Sequence, residues 1–234
     1  MASAPPEMVP AVKLVDILIR FMKFDSSLRE KDHDPWTLVT AASLFEAELQ
    51  DWESSLPERW SFITEYTDEP ADCHFTFHGQ YHVYRDQWVS RVFNHYRWGR
   101  LLVNELILSQ ISSMKWPNAG DIIQRQQTLD TISSMAIDIC AGAASQGALS
   151  QRGAVAEYPS HLPPLNGVFM LLFPLSVAGG AAGVPDEVHG WVVATLERIE
   201  RVMGIRRAIE LIPHLKRSHG QWKIDQERWK QRSM

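Results

Sequence analysis

Apolar residues recur at spacings of three and four along most of this 234-residue chain, the period of helices that turn one face inward. After a loose leader at 1–8, Val12, Val15, Leu18, Ile19 and Met22 predict a short first helix. Asp34-Pro35 reads as an N-cap followed by proline at the first helical position. It opens a second helix carrying Leu38, Ala41, Ala42, Phe45, Leu49 and Trp52, which Leu56-Pro57 stops. Residues 60–79 are irregular; the alternation from His74 to His78 is too short to define a strand. Tyr81 to Met114 is the dominant element, free of proline, with one row through Tyr84, Trp88, Val92, His95, Gly99, Leu102 and Leu106 and a second through Val89, Phe93, Tyr96, Val103 and Ile107. Two adjacent rows mean burial over a wide arc, on a helix ~50 Å long.

Trp116-Pro117-Asn118 ends that helix, and Asp121 to Ala144 forms a fourth. A Gly/Pro-rich loop over 146–166 leads to an apolar fifth helix at Gly167 to Ala182. Pro185-Asp-Glu opens a sixth with acids in its first turn, where the helix dipole favours them. Gly204 punctuates, 205–211 continues, Pro213 closes, and the tail to Met234 is basic and reads as a solvated helical extension. The expected fold is all-α, a single bundle of about seven helices with a long central helix. It divides into a leader and short helix at 1–34, the helical domain at 35–215 and the basic tail at 216–234.

Composition narrows the class. A 45% hydrophobic, 22% charged chain of net charge −5 has too much apolar content for disorder. Two cysteines, Cys73 and Cys140, exclude a disulfide scaffold and a cysteine-built zinc cluster. No secretory signal is visible at the N-terminus, so an intracellular location, nuclear or cytoplasmic, is expected. Residues 162–185 carry no charge, but the dense apolar run is short and broken by Pro174, which argues against a membrane span. Charge is uneven: from Glu197 to Met234 ten Lys/Arg face five Asp/Glu, a solvated face or a weak anionic contact surface.

Few patterns carry chemistry. Ala178-Gly-Gly-Ala-Ala-Gly183 lacks the preceding strand that a dinucleotide-binding turn needs, and reads as a helix terminus with a tight turn. His74, His78 and His82 lie four apart, but Gly79 intervenes; they read as coincidental surface histidines, and no metal site or cofactor is expected. The densest polar set is Asp86, Arg91, Asn94, His95, Arg97, Arg100 and Glu105 on the long helix. In a pocket, Asp86 and His95 would serve as acid and base and the arginines would hold an anion. The competing reading is a set of buried ion pairs that fix neighbouring helices.

Several phrases, in order, resemble the fungal-specific transcription factor domain, the regulatory region of fungal binuclear zinc-cluster regulators. They are Glu48-Leu-Gln-Asp-Trp-Glu-Ser-Ser-Leu-Pro-Glu-Arg-Trp60, Tyr84-Arg-Asp-Gln-Trp88 leading to Trp98-Gly-Arg-Leu-Leu102, Ala136-Ile-Asp-Ile-Cys140, Gly167-Val-Phe-Met-Leu-Leu-Phe-Pro-Leu-Ser-Val-Ala-Gly179 and Leu196-Glu-Arg-Ile-Glu-Arg-Val-Met-Gly-Ile205. The resemblance spans about residues 36 to 215. It implies an all-helical regulatory domain of a fungal protein, acting in transcription regulation as an intramolecular or effector-responsive switch and not as an enzyme. The six-cysteine cluster and basic DNA-reading segment of the family are missing, so sequence-specific DNA binding by this chain is not expected; it is a fragment of a larger regulator or a shortened relative.

Two functions follow. The first is a regulatory or interaction domain that binds a protein partner or small-molecule effector, as a monomer or homodimer. The second is a small-molecule-binding protein or cofactor-independent isomerase or cyclase of fungal secondary metabolism, reusing the helical frame. Its site would be an apolar cavity with few polar groups: Asp86 and His95 as acid and base, with Tyr84, Trp88, Arg91 and Arg97 binding the ligand.

Overall fold

A computed structural model describes residues 5, 7–28, 34–68, 75–146 and 165–233. Their chain order is α1 (Val9–Ser27), α2 (Pro35–Ser54), β1 (Ile63–Tyr66), β2 (Gln80–Val83), α3 (Gln87–Ser113), α4 (Ala119–Gly142), α5 (Leu165–Gly180), α6 (Asp186–Met203) and α7 (Arg206–Ser233). Among the described residues these seven helices, with the long α3 in the middle, form the expected all-α bundle. The predicted leader at 1–8, His74, Cys73 and the Gly/Pro-rich loop with Tyr158-Pro159 and Leu162-Pro163-Pro164 lie wholly or mostly outside the described residues.

The caps explain where helices begin. Asp34 accepts a hydrogen bond from Thr37 N at 3.0 Å, with Pro35 behind it. Asn118 and Asp121 form a capping box that satisfies two otherwise orphaned N–H groups of α4. Gly204, at φ 69°, takes the left-handed conformation that ends α6.

α3 occupies the middle, packed against α1, α2, α4 and α5. Leu101, Val103, Leu108 and Ile111 lose all or nearly all solvent contact there. Trp52 of α2 meets Trp60, Phe93 and Tyr96 and donates its indole N–H to Pro10 O at 2.7 Å, which ties α2 to the start of α1. Gly179 lets α5 approach α6: a Cβ there would lie 2.6 Å from Val192 Cγ1. Gly183, at φ +90°, turns the chain against Leu129. Close packing and a tight turn therefore account for the glycine run.

Three expectations need correction. The long helix begins at Gln87, not Tyr81, because Asp86 adopts extended backbone and caps it. Its 27 residues span ~40 Å. The residues just before it form β2, paired antiparallel with β1 in register Ile63↔Val83 to Tyr66↔Gln80. Second, Pro213 sits inside α7 and does not close it. Third, the basic tail is not a solvated extension. Ile212, Leu215, His219, Trp222 and Trp229 are buried along one side of α7, and docking of that stripe offsets the hydrogen bond that Pro213 cannot donate.

Candidate functional site

The polar residues of α3 divide between two helix interfaces. Facing α4 and the hairpin, Arg97 is 1% exposed. Its Nη1 donates to the Tyr84 hydroxyl, its Nε lies 3.9 Å from Asp138, and its plane contacts the rings of Phe62, Phe93 and Tyr84. His82 Nε2 stands 3.4 Å from Asp138, a long contact, and Nδ1 pairs with Thr64 Oγ1 at 3.1 Å. Gly142 closes this centre: a Cβ on it would approach Arg97 Nη1 to 3.2 Å and Asn94 Oδ1 to 3.5 Å.

The electrostatics agree with a packed, internally paired centre. Burial pushes the Tyr84 phenol up to about 12, against the pull of Arg97. Burial also lowers His82, which favours the neutral ring. Burial would raise Asp138, but the contact with His82 and the charge of Arg97 more than offset it, so the carboxyl lies below its ordinary value. Cys140 is free and fully buried, and burial raises its thiol far above the reactive range.

Two turns towards the start of α3, Ser90 Oγ meets Ser145 Oγ at 2.5 Å and accepts from Gln146 Nε2 at 2.7 Å. On the other side, facing α2, Arg100 binds Glu46 through Nε and Nη2 and donates to the Tyr96 hydroxyl at 3.0 Å. Tyr96 donates to Glu53 and Asn104 donates to Glu46. Burial opposes the charge on Arg100, and Glu46 overcomes it.

Asp86 and His95, the predicted acid and base, are not brought together. Nine residues separate them, about two and a half turns, so they leave the helix on opposite sides roughly 13 Å apart along its axis. Asp86 spends its carboxylate on Val89 N at 2.9 Å as the cap. His95 is exposed, donates Nδ1–H to Arg91 O and borders α1. Of the predicted ligand-binding set, Tyr84 and Arg97 do meet, but in the packed interior. Trp88 lies at the surface against Trp60, 5.3 Å between ring centres, and Arg91 is half-buried with no hydrogen-bond partner for Nε. His82, expected at the surface, is buried. Among the described residues no group of three His, Cys, Asp or Glu side chains is placed to hold a metal.

Asp138, Glu46, Gly142 and Ser145 were not singled out from sequence. Asp138 left one signal, a lone charge within the apolar run Ala136-Ile-Asp-Ile-Cys140.

Two surface features stand apart from the paired interior. Between α3 and α7 lies a cleft of about 580 Å³ bordered by Ser109, Ser112, Trp222, Arg228 and Arg232. On another side, Val15, Ile19 and Met22 of α1 form an apolar groove of about 420 Å³ with His95 and Trp98. Trp98 continues it edge-on to Phe173 of α5, 5.4 Å between ring centres, and Phe169, Met170 and Phe173 are each more than half exposed. No helix among the described residues is long and apolar enough to cross a membrane. No family model matches the chain, and no curated protein or solved structure matches it.

Proposed function

We propose that this chain is a non-catalytic regulatory module that works by binding protein, in the manner implied by its resemblance to the fungal-specific transcription factor domain, and without a DNA-binding module of its own. The observation that carries this reading is the apolar face running from α1 across Trp98 to α5. Monomeric proteins rarely expose a continuous apolar patch beyond ~300–600 Å², and larger ones mark contact surfaces. The polar side of the molecule supports the same reading: Asp86 is engaged in helix capping, Arg97 and Arg100 in interhelical pairing, and His95 bonds within its own helix, so Asp86 and His95 do not converge on one pocket. Such a module would act in transcription regulation, in the nucleus or while shuttling to it.

Cross-linking with mass spectrometry in a fungal host tests the reading. The expected result is cross-links concentrated on α1 and α5 that disappear in Phe173→Asp, a change at an exposed position that leaves the fold intact. Equal cross-linking of the variant and the parent chain would refute it.

A second reading, small-molecule binding with or without turnover, has the α3–α7 cleft behind it. There Ser112 Oγ is buried without a hydrogen-bond partner, and Arg228 and Arg232 supply positive charge. A thermal-shift screen against anionic metabolites tests it; a shift abolished by Arg232→Ala would favour an effector site at the cleft over the face on α1.

A further inference from the structure

α1 carries two apolar stripes side by side. Ala11, Leu14, Leu18 and Phe21 point inward and are buried. Met8, Val12, Val15, Ile19 and Met22 form the second stripe, one residue further round. The fold leaves it in solvent, with Val12, Val15, Ile19 and Met22 between 48% and 52% exposed. The spacing along this outer stripe is four, three, four, three. That is the alternation of a and d positions in a heptad repeat, the pattern by which one helix seats its side chains between those of another.

We infer that this outer face is the contact between two copies of the chain. The inference rests on the protein-binding reading above and names its partner. Three observations carry it. The stripe is continuous with Trp98 and with the exposed Phe169, Met170 and Phe173, so the contact is wider than a two-helix seam. At their fractional exposures these residues with Met8 present roughly 800 Å², which matches the area each partner buries in a standard stable interface. The groove holds only Lys23 as a fixed charge, beside His95. The Asp16 carboxylate on the flank is tied to Arg20, which also binds Glu48 of α2.

A second copy fits this face because the heptad stripe supplies both of the patterns such a seam needs. A two-fold arrangement places the same patch on both sides and closes the assembly, which leaves none of this face exposed to extend it. A partner of a different sequence would have to bring a matching stripe of its own, and no feature of the face, such as a charged rim of one sign, selects for one.

Sedimentation of the purified full chain over a hundredfold range of concentration tests the inference. The expected mass is twice 26.7 kDa at the upper end, falling towards the single-chain mass on dilution. Ile19→Glu and Val15→Lys each place a charge in the seam and should shift the dissociation constant upward by at least a hundredfold, with circular dichroism unchanged because both positions are half-exposed. The thermal midpoint should be unchanged only at concentrations where the parent is a single chain, since a dimer stabilises the folded state by mass action. Trp116→Ser is the control. Trp116 is 82% exposed but lies beyond the far end of α3, roughly 27 Å along the helix direction from Trp98, so this variant should self-associate like the parent. A parent chain that stays single at every concentration overturns the inference. So does a dimer that survives both Ile19→Glu and Val15→Lys. A single chain in solution whose α1 and α5 still cross-link to another protein in cells would sink the second copy alone; loss of both self-association and face-specific cross-links would sink the protein-binding reading with it.

Discussion

Removing Glu46 should cost this protein a large share of its stability. The Glu46 carboxylate is about one-eighth exposed, at 13%, and accepts from Arg100 twice and from Asn104 once. Glu46→Ala leaves the Arg100 guanidinium buried with Tyr96 and Met135 as its remaining partners. Stripping one partner from a buried ion pair costs ~3–5 kcal/mol. The surviving bond to Tyr96 sets the expectation at the low end, about 3 kcal/mol, out of a total of about 5–15 for a domain. Glu46→Gln retains an acceptor oxygen and should cost about 1–2 kcal/mol. Urea unfolding followed by tryptophan fluorescence reads both. With a slope of ~2–3 kcal/mol per molar, Glu46→Ala should move the midpoint down by about 1 M. The double variant Glu46→Met, Arg100→Met removes both charges and fills the space, and should recover most of the loss. A Glu46→Ala midpoint within about 0.3 M of the parent, or a double variant less stable than the single, would refute the reasoning that α2 and α3 are locked by this pair.

Glu105 sets the response to alkali. Burial pushes its carboxyl up to about 7, against the hydrogen bond from Ala182 N at 2.6 Å. A folded-state value above the unfolded one means that the associated stability is complete below about 4.5 and is lost as pH rises to about 7. Glu105→Gln should therefore be the more stable protein at pH 8, by on the order of 2 kcal/mol in urea unfolding, and should lose that advantage at pH 4. His82 works in the opposite direction: burial lowers its folded-state value, so its contribution is present above about 6.5 and lost on acidification. His82→Gln should flatten the fall in thermal midpoint below pH 6.5. Gly183→Val places a β-branched side chain at positive φ and against Leu129; a loss of at least about 2 kcal/mol is expected, measurable as a drop in thermal midpoint of several degrees, whereas Gly190→Ala, where a Cβ meets nothing within 4 Å, should leave the midpoint the same or slightly higher.

The helical order was legible because burial of one face imposes a period that apolar residues must follow. Leu38, Leu49 and Trp52 in α2, and Val188, Val192, Leu196 and Ile199 in α6, lie where that period puts them. The reading failed where a local rule met a tertiary one. Tyr84 and Trp88 are four apart and look helical, yet Asp86 between them takes extended backbone and starts the helix after itself. An aspartate three residues before Val89 was the available signal. Pro213 looked like a terminator, but the buried side chains beyond it hold α7 together. The outer stripe of α1 was visible as a period and not as a surface, because periodicity counts apolar faces and does not say how many neighbours the fold supplies. The polar centre was hidden for a different reason: the partners of Arg97 come from residues 62, 84 and 138, and no spacing rule brings these together.

The polar joints of α3 reach far along the chain. Arg100 meets a residue 54 positions earlier, and Ser90 meets residues 55 and 56 positions later. During synthesis, α3 therefore leaves the ribosome with half of its polar seam still waiting for a segment not yet made. Until Asp138 emerges Arg97 lacks its carboxylate, and until Ser145 and Gln146 emerge Ser90 must stay hydrated, so the bundle cannot close around them. Nascent chains stalled before Gln146 are thus the ones that chaperones should hold longest, and a cut anywhere in α4 should release a product unable to complete the bundle.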